Sequence, residues 1–209
     1  MRANVSGRSS CTFCSGPDPS EVVTDTPGGL RAIASYGAFV PGWTIVVPPA
    51  HVPSTTALSR EAGREFANFR SDVGALIESR LGPYVMFEHG AADFSRPAGC
   101  GVDHAHVHMV PLDIDLRRAI ADLEEPDLDL AWERVDGLPV HRPGSDYIWV
   151  CDSTGAWMAY TYSQPSQVVR RALARHLGVD QWDWKADLRL EMIALTTQLL
   201  AEQQLGASA

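Results

Sequence analysis

The feature that most constrains this chain is a run in which histidine alternates with apolar residues from His104 to Met109. Side chains of a β-strand point alternately to its two faces, so this run predicts a strand with imidazoles on one face and apolar side chains on the other. Three of the chain's seven histidines fall within this run. We therefore expect the apolar face to pack on a core and the imidazole face to carry chemistry.

Three interpretations of the imidazole face stay open from the residues alone. The face could be the polar side of a surface strand. It could hold a metal ion, but the outer two histidines stand about 13 Å apart along an extended strand, which is too far for one ion to bind all three. The histidines could also do separate jobs, because imidazole is a nucleophile and proton carrier at neutral pH and donates hydrogen bonds to phosphoryl oxygens.

Two further candidate ligands lie near the N-terminus, where Cys11 and Cys14 form a C-x-x-C pair. The chain has four cysteines, too few for the disulfide scaffold of a secreted protein. The pair therefore indicates metal binding or redox chemistry, with two idle thiols as the remaining alternative.

Hydrophobic periodicity predicts a mixed α+β fold. Residues 30–40 and 43–47 are strand-like and are separated by Pro41-Gly42, so we expect a hairpin there. Apolar residues recur at helical spacing through residues 59–81, which predicts a helix. Residues 84–87 predict a short strand, followed by a glycine-containing loop that leads to the histidine run.

The second half of the chain begins with an acidic helical segment at residues 113–125 and a polar stretch at 126–144. Aromatic strands at 147–151 and 157–162 predict a second hairpin, and helices are expected at 166–177 and 188–200. Three arginines fall on the first of these helices, Arg170, Arg171 and Arg175, and their pattern favours a solvated face over a phosphate contact.

Charge and hydropathy exclude two broad classes of function. Seventeen basic against twenty-six acidic residues give a net charge of −9, which disfavours binding to polymeric nucleic acid. No stretch reaches the roughly 20 apolar residues that a membrane helix needs, and the N-terminus lacks the apolar region of a signal peptide. We expect a cytoplasmic protein.

Several blocks of this sequence together resemble the signature of the histidine-triad (HIT) family. They are the alternating run that ends at Pro111, the preceding loop with Gly99 and Gly101, the strand end before His51, and the C-x-x-C pair. The blocks occur in the family's order over residues 11–111, which is about half the chain.

The resemblance implies an architecture. We expect an antiparallel sheet of about five strands with packed helices, which forms a HIT-like core at residues 30–112. Residues 1–29 would be an arm that bears zinc ligands, and residues 113–209 would be a C-terminal extension made of a hairpin and helices. Family members often dimerise through this module, so a homodimer is a further expectation.

The resemblance also implies a chemistry. His106 would attack the α-phosphate of a nucleotide and form a covalent nucleotidyl-histidine, while His108 and loop amides near Gly99 and Gly101 would bind phosphoryl oxygens. A nucleotide phosphohydrolase acting on a nucleotide conjugate or a dinucleoside polyphosphate is favoured. The alternatives are a nucleotidyltransferase or phosphorylase that uses the same intermediate, and a non-catalytic nucleotide-binding protein.

In metal-containing relatives a structural zinc ion is held by residues that correspond to Cys11, Cys14, His51 and His104. Two thiolates and two imidazoles form a closed tetrahedral set with no position left for a catalytic water. The resemblance therefore implies a Zn²⁺ ion with a structural role and no organic cofactor.

This chain departs from the family pattern at several positions. Trp43 stands where relatives often carry a histidine, and Gly101 stands where they often carry a serine. Ser35 lies in the stretch where some relatives hold the ribose with an acidic side chain, so it is a candidate substrate contact. Glu88, in the loop before the triad, is expected to contact substrate or to orient a triad imidazole.

Overall fold

The structure is a computed structural model that describes residues 11–95, 102–125, 128, 130–161 and 166–201. Its strands are β1 Val22–Asp25, β2 Arg31–Ala34, β3 Thr44–Val47, β4 Val85–Gly90, β5 Val107–Val110, β6 Trp132–Val135, β7 Asp146–Asp152 and β8 Gly155–Thr161. Its helices are α1 Thr12–Ser15, α2 Arg60–Leu81, α3 Leu116–Ala121, α4 Val168–Leu177 and α5 Leu190–Leu200. All the strands join one antiparallel sheet in the order β1-β2-β3-β5-β4-β7-β8-β6. The α+β prediction is therefore confirmed.

The first hairpin forms as expected, although β2 already ends at Ala34. The chain then turns through Gly42, which adopts a left-handed φ of 86° and lies against the Leu81 side chain. A residue with a Cβ atom would clash there, so glycine is required for both reasons. Trp43 directly follows this turn, and β3 then lies between β2 and β5 in the sheet.

The histidine strand β5 is inserted between β3 and β4, where His108 faces Ile45 on one side and Phe87 on the other. The opposite face of β5 carries Val107 and Met109, which pack in one core cluster with helix α2. Ser59 caps this helix by accepting a hydrogen bond from the amide of residue 62 at 3.2 Å. The predicted helix and the predicted apolar face are both confirmed.

The expectation of about five strands is wrong, because the described residues form an eight-stranded sheet. The hairpin β7–β8 continues the sheet by pairing with the free edge of β4. The outermost strands β1 and β6 are short, and none of their residues is buried. Because neither strand has a buried face, its sequence does not alternate between apolar and polar residues, which is the pattern that would have predicted it. Strand β4 also runs on to Gly90, so Glu88 and His89 belong to a strand and not to the predicted loop.

Helices of the second half close the remaining face of the sheet. Buried residues of α3 and α4 share a core cluster with Trp43, Phe87 and Ile148. Helix α5 returns to the start of the chain and contacts α2, β1 and β2. Within the described ranges, no helix combines the length and the apolar character that a membrane crossing requires.

Candidate active site and metal centre

The three histidines of the run are all buried, but they enter two different sites. Strand β5 begins only at Val107, so the regular strand is shorter than predicted and His104 and His106 precede it. The segment before the strand is held by a hydrogen bond from the Ala105 amide to the Val52 carbonyl oxygen at 2.7 Å. His104 turns towards the N-terminal arm, whereas His106 and His108 line a cavity on the sheet.

The first site is a cluster of Cys11, Cys14, His51 and His104, whose ligand atoms all lie within 4.8 Å of one another. The Sγ atoms of Cys11 and Cys14 lie 3.4 and 3.5 Å from His104 Nδ1. His51 Nδ1 lies 3.4 Å from Cys14 Sγ and 3.2 Å from His104 Nδ1. These are the four residues that the family resemblance implies as metal ligands, and the cluster could hold a metal ion.

The donor chemistry of this cluster suits a tetrahedral ion. With metal–ligand bonds of about 2.0–2.1 Å to nitrogen and 2.3 Å to sulfur, the edges of such a tetrahedron are about 3.3–3.6 Å between nitrogen and its neighbours. The four distances given above agree with these edges to within a few tenths of an ångström. His104 Nε2 lies 2.9 Å from the Pro48 carbonyl oxygen, which accepts a hydrogen bond from it, so the lone pair of the neutral ring is on Nδ1, on the side of the cluster.

The second site is a cavity of about 130 Å³ that His106 and His108 line. Its wall combines apolar and aromatic residues with a few polar groups. The lining residues are Thr12, Phe13, Pro17, Glu21, Ile33, Ala34, Ser35, Tyr36, Trp43, Ile45, Phe87, His89, Val102, His106, His108, Gln167, Arg170 and Trp184. A concave apolar site with convergent imidazoles is the usual form of a small-molecule site.

His106 is anchored by the segment that precedes β5. Its Nδ1 atom lies 2.6 Å from the carbonyl oxygen of His104. Phe13 packs edge-on against the ring, with centroids 5.5 Å apart, and makes a similar contact with His104 at 5.6 Å. Phe13 therefore touches both the metal cluster and the cavity.

His108 is held between aromatic rings. It stacks on Phe87 with centroids 4.4 Å apart, and its Nδ1 accepts a hydrogen bond from Trp43 Nε1 at 3.1 Å. Burial lowers the pKa of His108 well below its ordinary value, and nearby His106, His89 and Arg170 add to this effect. The imidazole is therefore neutral at physiological pH.

Two buried polar atoms belong to cavity-lining residues and have no hydrogen-bond partner within the described part of the chain, His89 Nε2 and Gln167 Oε1. Burial lowers the pKa of His89 to about 3, with His106 contributing, so this imidazole is also neutral. Gln167 adopts a left-handed φ of 57°, which is strained for a residue with a side chain. Unpaired buried groups and strain of this kind are typical of functional sites.

Glu88 does not line the cavity. It lies on the opposite face of the sheet, where it accepts hydrogen bonds from the Thr55 amide at 2.8 Å and from Tyr147 Oη at 2.8 Å. Burial raises the pKa of Glu88, although these hydrogen bonds act in the opposite direction. The predicted substrate contact is thus replaced by an anchor for the Thr55 turn, because alternation along β4 turns Glu88 away from the imidazoles.

The other predicted site residues have different outcomes. Ser35 is buried in the cavity wall, and its hydroxyl donates to the Tyr36 carbonyl oxygen at 3.2 Å. Gly99 and Gly101 lie outside the described residues.

Arg170 was expected on a solvated face, but it is buried. Its Nε donates to the Trp182 carbonyl oxygen at 2.7 Å, and its Nη2 donates to the Gly37 carbonyl oxygen.

Sequence reasoning missed the cavity residues that the second half supplies, Gln167 and Trp184, as well as Phe13 and Tyr36 from the first. The sequence carries no spacing signal for them, because they meet only through tertiary packing. Comparison with known proteins adds no identification: no family model matches the chain, and no curated protein matches it significantly.

Proposed function

We propose that this protein is a nucleotide phosphohydrolase of the histidine-triad type that acts at the α-phosphate of a nucleotide conjugate or a dinucleoside polyphosphate. The observation that carries the proposal is the contact of His106 Nδ1 with the His104 carbonyl oxygen at 2.6 Å. A carbonyl oxygen only accepts, so Nδ1 carries a proton, and in the neutral imidazole the lone pair is therefore on Nε2. An imidazole in this tautomer is a suitable nucleophile.

In the first step, the Nε2 lone pair of His106 forms a bond to the α-phosphorus while the bond to the leaving group breaks, and the leaving group departs with that bonding pair. The ring becomes positively charged, and the His104 carbonyl oxygen at Nδ1 stabilises that charge. In the second step, a water oxygen bonds to phosphorus, the P–N bonding pair returns to Nε2, and the water releases its proton to the surrounding solvent. Covalent catalysis thus divides one displacement into two.

Two further groups support this role. His108 lies beside His106, with ring centroids 5.0 Å apart, so it is within reach of phosphoryl oxygens on a group bonded to His106. Rings of Phe13, Tyr36 and Trp184 line the same cavity and suit stacking on a nucleobase. A nucleotidyltransferase or phosphorylase would use the same intermediate with another acceptor, and a non-catalytic nucleotide-binding protein would use the cavity alone.

We also propose that the cluster of Cys11, Cys14, His51 and His104 binds Zn²⁺. Two thiolates and two imidazoles are the donor set that zinc favours, and four of the six distances between their ligand atoms are 3.2–3.5 Å. A bound ion would supply structural support by clipping the N-terminal arm to the sheet. The proposed reaction uses no metal-bound group.

The test is intact-mass spectrometry of the wild-type protein after brief incubation with a nucleoside diphosphate, a dinucleoside tetraphosphate or a nucleoside phosphoramidate. The reaction is quenched at high pH, where a phosphoramidate bond survives. We expect a nucleoside-monophosphate adduct on the wild type and on His141→Asn, whose histidine is exposed outside the cavity, and no adduct on His106→Asn. Binding without an adduct or substrate consumption would favour the non-catalytic alternative.

The acceptor is identified by the product. In buffer with inorganic phosphate, a hydrolase releases the nucleoside monophosphate, whereas a phosphorylase releases the diphosphate. Phosphorus NMR of the reaction mixture separates these products.

A further inference from the structure

Trp43 stands where relatives often carry a histidine. Its indole N–H makes a hydrogen bond that a side chain without a donor could not make. It is completely buried, and its Nε1 lies 3.1 Å from His108 Nδ1. An indole N–H donates and never accepts. The Nδ1 atom of His108 must therefore carry a lone pair, and the ring proton of the neutral imidazole must be on Nε2.

The indole is itself held in place by the second half of the chain. The guanidinium of Arg170 lies 4.8 Å from the centroid of the Trp43 ring, and Phe39 packs edge-on against that ring at 5.5 Å. Arg170 is fixed by the Trp182 and Gly37 carbonyl oxygens, and its charge over the indole face is a favourable cation–π contact. The helix α4 thus restrains the orientation of Trp43.

His106 and His108 therefore carry their protons on different nitrogens. His106 has its proton on Nδ1, against the His104 carbonyl oxygen, and has a lone pair on Nε2. His108 has its lone pair on Nδ1, against Trp43, and has its proton on Nε2. The two histidines of this motif are thereby set for different roles. His106 presents a nucleophile to phosphorus, and His108 presents a hydrogen-bond donor to oxygen.

We propose that Trp43 is a positioning residue that holds His108 in the Nε2–H tautomer, so that His108 presents a hydrogen-bond donor to an anionic oxygen of the ligand. The effect of Trp43 on turnover rests on the proposed function, whereas the tautomer of His108 does not. Because the imidazole stays neutral, His108 contributes a hydrogen bond and does not act as a base. The titratable and charged groups that act on it are His106, His89 and Arg170.

The test is NMR of the full-length protein labelled with ¹⁵N in histidine and tryptophan. Two-bond ¹H–¹⁵N correlations report which ring nitrogen is protonated, and the His108 signals are those that disappear in His108→Gln. We expect a single Nε2–H tautomer for His108 between pH 6 and 8. We also expect a ¹⁵N–¹⁵N coupling through the hydrogen bond between Trp43 Nε1 and His108 Nδ1, which is measured on the unmodified protein.

Two variants complete the test. Trp43→Phe keeps an aromatic ring and removes the donor, so the second tautomer of His108 should appear, and kcat should fall about 2- to 10-fold, as expected for the loss of one neutral hydrogen bond. Phe39→Leu loosens the same aromatic packing and leaves the donor, so the tautomer should be unchanged.

A wild-type spectrum with Nδ1 protonated, or with no coupling to Trp43, overturns the inference, as does a Trp43→Phe spectrum identical to the wild type. If no substrate is turned over but the tautomer and its response to Trp43→Phe are as expected, the proposed function fails and the positioning role stands.

Discussion

One run of alternating histidines serves two regions that are built in different ways. The metal cluster collects its ligands from three distant parts of the sequence, and the short helix α1, which begins directly after Cys11 and contains Cys14, has no buried residue. The imidazole cavity is built on neighbouring strands, and His89, His106 and His108 are all buried. Three of the four cluster residues are partly or fully exposed, whereas the three cavity histidines are all buried.

The two regions therefore depend on different interactions for their structure. A cluster whose ligands are joined mainly through an ion loses its structure when the ion or one ligand is removed. A cavity set by packed strands keeps its shape when one imidazole is changed, and it loses only the chemistry of that group. Substitutions in the two regions should therefore separate stability from activity.

The largest expected effect lies in the cavity, in His106→Asn. Removal of the nucleophile should lower kcat/KM by at least about 10³-fold, as for other residues that form the covalent intermediate, while the melting temperature stays close to that of the wild type. Steady-state kinetics and thermal unfolding measure the two quantities. His141→Asn is the matched control, and equal loss of activity in both variants would contradict the assignment.

The metal cluster should show the opposite pattern in Cys14→Ser. The variant should lose bound zinc, and the free energy of unfolding should fall by about 4 kcal/mol when free zinc exceeds its Kd a thousand-fold for the wild type. Zinc content by elemental analysis and urea unfolding provide the measurement, and limited proteolysis should show earlier cleavage in the arm.

Cys151→Ser is the control for this experiment, because Cys151 lies on β7 outside the cluster. A Cys14→Ser protein with unchanged zinc content would refute the proposed ligand set.

A pH titration of stability sharpens the description of the cavity. The folded pKa of His89 is about 3, below its ordinary value of 6.5, so the unfolded chain binds this proton first as the pH falls. The stability that neutral His89 preserves is complete above pH 6.5 and is lost as the pH falls towards 3. Between pH 6 and 4, the unfolding free energy of the wild type should therefore fall relative to His89→Asn by about 1.4 kcal/mol per pH unit.

Urea unfolding at pH 7, 6, 5 and 4 measures this difference, which includes the contribution of His89 to the lowered pKa of His108. His176→Asn is the control, since that histidine is exposed and does not line the cavity. Parallel profiles for His89→Asn would show that the pKa of His89 is the same in the folded and the unfolded protein, and would contradict the effect of burial.

The smallest expected effect is at Phe13, which joins the two regions. Phe13→Leu removes edge contacts with His104 and His106, and such ring contacts are worth about 0.5–1.5 kcal/mol beyond the buried area. We expect a loss of unfolding free energy in that range together with a several-fold lower affinity for nucleotide, measured by calorimetry. Phe94→Leu is the control, because that exposed ring stacks on His51 only at the outer side of the cluster. A change in stability without a change in affinity would show that the regions are independent.

Local patterns predicted the central part of the fold. The hairpin β2–β3, helix α2, the hairpin β7–β8 and the apolar face of β5 each have a strong periodic signal, and the structure confirms them. Strands β1 and β6 were missed, because a half-exposed edge strand has no apolar alternation. Glu88 was assigned to a loop because the run of apolar residues ends at Phe87. The pairing of β4 with β7 nevertheless continues to Gly90.

The candidate site divides in the same manner. The four residues of the metal cluster were implied by the family resemblance, since each of them lies in one of the blocks that carry it. The burial of Arg170 and the cavity contacts of Gln167 depend on how α4 docks on the sheet, and no spacing rule in one sequence encodes that docking. The role of Trp43 was also hidden, because a single tryptophan after a turn is usually a packing residue.

The pairing of β4 with β7 bears on where this chain can be cut. Five residue pairs, from Met86 with Cys151 to Gly90 with Tyr147, cover one side of β4. A fragment that stopped near residue 112 would leave that six-residue strand as an open edge, with its backbone donors and acceptors free to pair with another molecule. The natural edges β1 and β6 are four residues long and carry acidic side chains, which discourage such pairing. The second half of the chain therefore protects the histidine-bearing sheet from aggregation.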